Sequence, residues 1–510
     1  MNIKDAKTEV ENAVRAYLIK DRYGKYKIDR VHQRPVLVIG APGIGKTAIM
    51  EQISKEMGIG LVSYSMTHHT RQSAIGLPFI EKKTFEGREY SVSEYTMSEI
   101  ISSIYKYMED TGVKEGILFL DEINCVSETL SPAMLQFLQY KTFGNTPVPE
   151  GWVIVTAGNP PEFNKSVREF DVVTLDRVKK IEVEPDFDVW KEYALKKGIH
   201  SSIITYLEIK KSNFYFIEST VDGKAFVTAR GWEDLSDMIY LYEETGVKVN
   251  ERLCRQYIQH KIISKDFAVY YDLFNKYRSD YKVIDILNGK YDDIVKDRAQ
   301  SAKFDERLTL MGLLLDSVTA SMKNVLRNEK FTAALLESLK EVKEKCAVNN
   351  AADSSESIID ILGAVLAQRK AILEKELSKG LLRREDEYIM RDIIASFEGY
   401  ISALAEKGIT DKKKGFAAVK KSFDAGVKKF EESIELTKTQ LDNMFVFVEE
   451  VFGRDKEMLV IVTDLTANFN SAEFIGKYGC DKYFENNKEM LFYERQQDIV
   501  KQVNILSSMM

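Results

Sequence analysis

The sequence predicts an α/β core, a five-stranded parallel sheet with helices on both faces, followed by an all-α C-terminal region. Two observations predict it. All nine prolines of the 510-residue chain fall between Pro35 and Pro185, and residues 186–510 contain none. Proline punctuates loops and breaks helix interiors, so the proline-free stretch permits long uninterrupted helices. Within the first part, short runs that are apolar on both faces alternate with helix-like patterns: Pro35–Ile39, Gly60–Tyr64, Ile117–Leu120, Trp152–Thr156 and Lys180–Val183. Such runs suit strands covered on both sides, and sheets of this kind bind ligands at the carboxyl ends of their strands. The expected division is an α/β domain over 1–184, a helical region over 185–255 and a helical C-terminal region over 256–510.

Composition narrows the function class. The chain is 44% hydrophobic and 30% charged, with a net charge of −7. That is an ordinary globular balance, and it disfavours a nucleic-acid-binding role driven by bulk positive charge. No apolar run reaches 18 residues, and the first residues have no apolar stretch of the kind a signal peptide needs. Cys125, Cys254, Cys346 and Cys480 lie far apart with no CxxC spacing. They predict neither a disulfide framework nor a zinc site, and a cytoplasmic protein is expected.

The first strand ends in Gly40-Ala41-Pro42-Gly43-Ile44-Gly45-Lys46-Thr47, which satisfies G-x-x-x-x-G-K-[ST] and opens a helix running to about Met57. Backbone N–H groups of such a loop wrap phosphate oxygens, and the helix N-terminus adds positive potential. Lys46 would bridge the β- and γ-phosphates of ATP, and the Thr47 hydroxyl would ligate Mg²⁺. The second strand leads into Ser65–Pro78, a loop that contains His68, His69 and Arg71. Adjacent histidines point apart on a strand, which disfavours joint metal binding. Lys82–Val92 reads as a hairpin around Glu86-Gly87.

The third strand ends in Asp121-Glu122. Asp121 suits the Mg²⁺ shell, and Glu122 suits the base that activates water for attack on the γ-phosphate. The next strand ends in Gly158-Asn159-Pro160, where Asn159 either positions that water and reads the γ-phosphate or simply makes a turn.

Phosphate loop, Asp-Glu strand, strand-tip Asn and a downstream arginine, in this order over roughly residues 30–240, resemble the P-loop ATPases of the AAA+ family, nearest to the MoxR-like and dynein-related branch. The resemblance makes Asn159 the sensor 1 residue and 185–255 the helical lid over the nucleotide. Val173–Val178 resembles the element whose arginine, here Arg177, reaches the nucleotide of a neighbouring subunit, and Arg168 is a second candidate for that role. Phe226–Trp232 resembles the start of the sensor 2 helix, with Arg230 at the γ-phosphate. Arginines there neutralise charge on the transferring phosphoryl group. The resemblance further implies a hexameric ring, a protein client and, in many relatives, a partner with a von Willebrand A domain. One departure is Gly45 before Lys46, where MoxR proteins proper usually carry alanine.

The reading that follows is an ATPase that remodels or assembles a partner protein. The alternatives are the ATPase part of a nucleic-acid machine, which needs a basic channel, and a nucleotide-gated scaffold, which has no need of Glu122. In the second half, apolar stripes at three- and four-residue spacing run over Leu308, Met311, Leu315, Val318, Met322, Val325 and over Phe423, Val427, Phe430, Ile434, Leu441, Met444, Val448. They predict helix packing within one chain, or else an exposed coiled-coil arm. Lys412–Lys414, Lys420, Lys421, Lys428 and Lys429 alternate with acids and read as a solvated helix face. Asp464, Thr466 and Asn468 only loosely resemble a von Willebrand A metal motif, and an apolar helix or strand is the preferred reading there. Gly380 and Gly408 are expected helix ends, and the segment from Phe474 to Ile505 is expected to be folded.

Overall fold

Which residues alternate along the strands decides which helices cover each face of the sheet. The computed structural model describes residues 1–68, 74–143, 145–163, 167, 170–220, 223–348, 356–378 and 384–488. They divide into one unit of Met1–Ala194 with Lys210–Val269 and a second of Leu195–Ile209 with Tyr270–Met510. The chain begins with α1 (Ile3–Tyr17), β1 (Val36–Gly40), α2 (Lys46–Met57), β2 (Gly60–Ser65) and a hairpin of β3 (Pro78–Phe85) and β4 (Arg88–Tyr95). Next come α3 (Glu99–Thr111), β5 (Gly116–Asp121), α4 (Ser131–Tyr140), the short pair β6 (Thr142–Phe143) and β7 (Thr146–Pro147), β8 (Trp152–Gly158), α5 (Val172–Leu175) and β9 (Lys179–Val183).

Five strands form a parallel sheet in the order β2-β5-β8-β1-β9. Val36, Val38, Ile117, Phe119, Val153 and Val155 bury one face against Ala6 and Val10 of α1 and Ile49 and Met50 of α2. Their neighbours Leu37, Leu118, Leu120, Trp152 and Ile154 bury the other against Ile100 and Ile104 of α3 and Met134 and Phe137 of α4. The core is therefore the predicted P-loop α/β layer with helices on both faces. The hairpin β3–β4 turns at Glu86 and Gly87, both at positive φ (50° and 79°). That is the primed turn whose twist matches paired strands.

After β9 come α6 (Phe187–Lys197), α7 (Ser201–Ile209), β10 (Phe216–Thr220), β11 (Gly223–Val227), α8 (Ala229–Thr245) and α9 (Glu251–Tyr257). The antiparallel pair β10–β11 interrupts the helices expected over 185–255. Its sequence carries an Asp222-Gly223 turn signal between apolar-alternating runs, which favours a hairpin over a helix. Trp190 and Trp232 are buried. Trp190 packs on Phe214, and the Trp232 indole donates to the Phe214 carbonyl at 3.1 Å.

The rest of the described chain is helical: α10 (Lys261–Asp280), α11 (Val283–Leu287), α12 (Asp293–Ser301), α13 (Phe304–Val348), α14 (Ile358–Ser378), α15 (Arg384–Glu406), α16 (Lys412–Phe452), α17 (Lys456–Ala467), α18 (Phe469–Tyr478) and about two further turns at 481–488. At about 1.5 Å per residue, the 45-residue α13 runs roughly 67 Å and threads two apolar cores of the second unit. Near its start, Met311, Leu315, Val318, Met322 and Val325 meet Leu441, Met444, Phe447 and Val448 of α16 and Met458 and Ile461 of α17. Near its end, Leu335, Leu339 and Val342 meet Ile358, Leu362 and Val365 of α14 and Ile393 and Phe397 of α15. Gly312 lets α13 cross α7, since a Cβ there would sit 2.4 Å from the Thr205 hydroxyl.

The two stripes differ in burial. The α13 stripe is buried throughout, whereas Phe423, Val427 and Phe430 on α16 are half-exposed and line a groove of about 660 Å³ with Phe331 and Tyr400. The lysines from Lys413 to Lys429 are exposed on α16. The 456–467 segment is a helix in which the Thr466 hydroxyl reaches the Val462 carbonyl at 2.7 Å and Asn468 caps α18. Gly408 follows α15 at φ 61°, while Gly380 and residues 489–510 lie outside the described residues. No helix among the described residues is long and apolar enough to cross a membrane.

Burial ranks the two ends of the α16 stripe. Phe447→Ala, at a fully buried ring, should cost about 3–5 kcal/mol, and Phe430→Ala about half of that. Trp152, Trp190 and Trp232 all lie in the first unit, so denaturation followed by circular dichroism should shift while tryptophan emission does not. Equal losses for the two variants would contradict the burial assigned to them.

Candidate active site

The loop after β1 can form only because two of its residues lack a Cβ. Gly43 and Gly45 take φ of 73° and 97°, a region that costs other residues energy. Gly45 caps α2 without a side chain, so the first N–H groups of that helix point outward unpaired by any cap. Lys46 opens the helix and is 7% exposed. Its ammonium donates to the carbonyls of Gly40 at 2.7 Å and Ala41 at 2.9 Å and to Asn159 Oδ1 at 2.9 Å. Burial pushes its pKa down to about 8, with the carboxylates of Asp121 and Glu122 opposing the shift and Arg230 adding to it. A buried cation held this way lies where anionic oxygens would replace carbonyl ones.

The strand order brings the other predicted residues to the same edge. The Thr47 hydroxyl donates to Asp121 Oδ2 at 2.9 Å. Asp121 Oδ1 accepts the Glu122 backbone N–H at 2.8 Å. Glu122 is one of few non-glycine residues at positive φ, 55°, a conformation that carries strain and marks functional turns. Its Oε2 accepts from Ser65 Oγ at 2.8 Å and Thr67 Oγ1 at 3.0 Å. Asn159 leaves β8 between the tips of β5 and β1, and its carbonyl accepts from Asn124 Nδ2 at 2.8 Å. Asn124 is 5% exposed, and Gly158 admits it closely, since a Cβ there would stand 2.6 Å from Asn124 Oδ1.

The region after β9 closes over this loop. Arg230 lies in the first turn of α8, its backbone N–H on the Gly43 carbonyl at 3.3 Å. The Tyr215 hydroxyl donates to the Pro42 carbonyl at 2.9 Å. Sequence reasoning missed Ser65, Thr67, Asn124 and Tyr215. Pairing of β2 with β5 sets Ser65 opposite Asp121, so the strand order was the missing signal. Arg177 lies elsewhere. It precedes β9, whose first residue pairs with Val36 at the start of β1, so it sits at the opposite edge of the sheet from Lys46. Five strand residues span roughly 15 Å, and Arg177 adds a small part to the lowering of the Asp171 carboxyl, after the Thr174 hydrogen bonds. Arg168 lies outside the described residues, as do His69 and Arg71.

Residues 36–175 match the model of the ATPase family associated with various cellular activities, AAA. The match supports an ATPase of the AAA+ type. It takes in the phosphate loop, Asp121, Glu122 and Asn159, and it ends before Arg177, β9 and Arg230. No curated protein matches the chain. AAA ATPases use ATP with Mg²⁺, and the donors here fit that pair. A hydroxyl and a carboxylate 2.9 Å apart offer the hard oxygens Mg²⁺ prefers, leaving its remaining positions to phosphate and water.

Asn124 holds Asn159 by its backbone, and among the described residues its side chain makes no hydrogen bond to the phosphate loop or to Glu122. Asn124→Ala should therefore leave nucleotide affinity nearly unchanged and slow hydrolysis about 10- to 100-fold, as small misplacements of reacting groups do. Stopped-flow binding beside steady-state phosphate release checks this. An unchanged rate would show that Asn159 needs no support from below.

Proposed function

We propose that the chain is an ATP hydrolase that works as an assembly of its own copies and spends the cycle on remodelling or assembling a partner protein, in the manner of MoxR-like ATPases. The observation that carries the hydrolase reading is the meeting of Lys46, Thr47, Asp121 and Asn159. Lys46 and Asn159 are 113 residues apart in sequence and 2.9 Å apart in space. In this reading Lys46 exchanges the Gly40 and Ala41 carbonyls for β- and γ-phosphate oxygens. Thr47 and Asp121 hold Mg²⁺, which when bound neutralises phosphate charge. Glu122 takes a proton from the attacking water as its oxygen bonds to the γ-phosphorus and the bond to the ADP oxygen breaks. Arg230 contributes charge from the segment clasped over the loop.

Assembly is supported by where Arg177 lies. It cannot serve the site of its own chain from the far edge of the sheet, and it is suited to reach a neighbour's. Arg168 is kept as the second candidate. Family resemblance supports a hexameric ring, a protein client and a von Willebrand A partner. The region 185–255 serves as lid and 256–510 as accessory bundle. Four cysteines far apart in sequence, with no CxxC spacing, support a reducing, cytoplasmic setting. The net charge of −7 weighs against the nucleic-acid alternative.

Two experiments test this. Lys46→Ala should abolish ATP binding at micromolar nucleotide by calorimetry, while Glu122→Gln should bind ATP normally and hydrolyse it at least ~100-fold more slowly. Wild-type turnover by the Gln variant would mean that another group activates the water. For the assembly, Arg177→Ala should keep nucleotide binding and lose hydrolysis. Mixing it with Lys46→Ala subunits should restore part of the activity, because each variant lacks a different half of the site. A fully active monomer by sedimentation rules out the trans arginine.

A further inference from the structure

At the edge of the sheet opposite the phosphate loop, a small cavity is walled by cations. Tyr17 from the end of α1, Arg30, Gln33 and Arg34 from the loop before β1, Lys141 after α4 and the start of β8 from Trp152 enclose about 10 Å³. That is room for one water-sized group. Its charged lining is Arg30, Arg34 and Lys141, with no carboxylate among the lining residues.

Each donor is only partly used. Lys141 is 4% exposed, and among the described residues its ammonium reaches only the carbonyl of Leu138, which leaves two N–H bonds over. Burial alone pushes its pKa down to about 8, as happens to a lysine without a partner acid. Arg30 spends Nη1 on the Val148 carbonyl at 2.6 Å, while its buried Nε has no partner among the described residues. Trp152 is 2% exposed, and its indole N–H likewise has none. Arg34 is mostly exposed and stands 3.9 Å from Asp176, so its charge is loosely matched. The charges of Arg30 and Lys141 are not matched by any carboxylate described.

We propose that this cavity is a binding site for a small inorganic anion, a halide of chloride size. Buried donors without acceptors and a buried cation without counter-charge, here Lys141, are each costly, and one group that accepts several N–H bonds and carries negative charge relieves both. A water accepts at most two of those bonds and leaves the charges standing. Phosphate, sulfate and nucleotides are too large for the space. The bound halide ties the loop before β1 to the end of α4 and the start of β8. The site is independent of the ATP reading, since none of its residues touches the phosphate loop.

The test uses the full chain in thermal unfolding at constant ionic strength, with gluconate replaced stepwise by chloride or bromide. Gluconate is too large for the cavity and serves as the reference anion. The expected result is a saturable rise in Tm of about 2–4 °C in either halide. Lys141→Met, which keeps the length of the side chain, should lose the rise, whereas the exposed-lysine control Lys414→Met should keep it. A bromide-soaked crystal should show an anomalous peak between Lys141 Nζ and the Trp152 indole. Equal Tm in halide and gluconate, or a rise that survives Lys141→Met, overturns the proposal and leaves a water in the cavity. Should Lys141→Met not fold, the bromide peak decides, and its absence from the cavity is equally fatal.

Discussion

A lysine ammonium buried at the tip of a strand is the constraint from which the rest of the first unit follows. Lys46 is removed from water and so must be surrounded by acceptors. Two backbone carbonyls reach it only because the loop turns back on itself at Gly43 and Gly45. A third acceptor, Asn159, has to come from another strand, which fixes β8 beside β1. The carboxylates that oppose the loss of its charge, Asp121 and Glu122, have to come from β5 one strand further on. A cation held by weak neutral acceptors between two acids is poised to exchange them for phosphate oxygens, which accept charge-assisted and stronger bonds.

The sheet then separates two kinds of chemistry. Its carboxyl edge gathers Lys46, Thr47, Asp121, Glu122 and Asn159, and the segment after β9 clasps that edge through Tyr215 and Arg230. Its amino edge carries Arg177 and the cationic cavity around Lys141, roughly 15 Å away along β1. Both edges are held by the same packing, since β1, β5 and β8 bury alternate residues in two cores and the edge strand β9 adds Ile181 and Val183 to one of them.

Much of this was legible in the sequence, and the misses have a common physical cause. The five strands, the loop from Gly40 to Thr47 and the Asp121–Glu122 tip are local patterns, set by periodicity and by glycine spacing. So is the Glu86-Gly87 hairpin. Ser65, Thr67 and Asn124 were not legible, because their roles depend on which strands are neighbours, and a polar residue after a strand says nothing of its partner across the sheet. The helix α1 passed unread although Asn2 caps it and Ala6, Val10, Ala13 and Val14 follow helical spacing. Those small residues give a weak apolar signal. The β10–β11 hairpin was masked by the helical patterns on either side of it. In the second half, the stripe over Phe423–Phe430 matched the buried seam in pattern but not in burial, because spacing shows which residues share a face and not what covers it.

The most direct measurement is a crystal structure of the protein with Mg²⁺ and a non-hydrolysable ATP analogue. The account predicts that Lys46 Nζ leaves the Gly40 and Ala41 carbonyls for the β- and γ-phosphate oxygens. It also predicts that Thr47 and Asp121 part to admit the metal and that Asn159 stays within hydrogen-bond reach of the γ-phosphate. A nucleotide bound elsewhere, or one seated at the loop while Lys46 keeps its carbonyl partners, would contradict it.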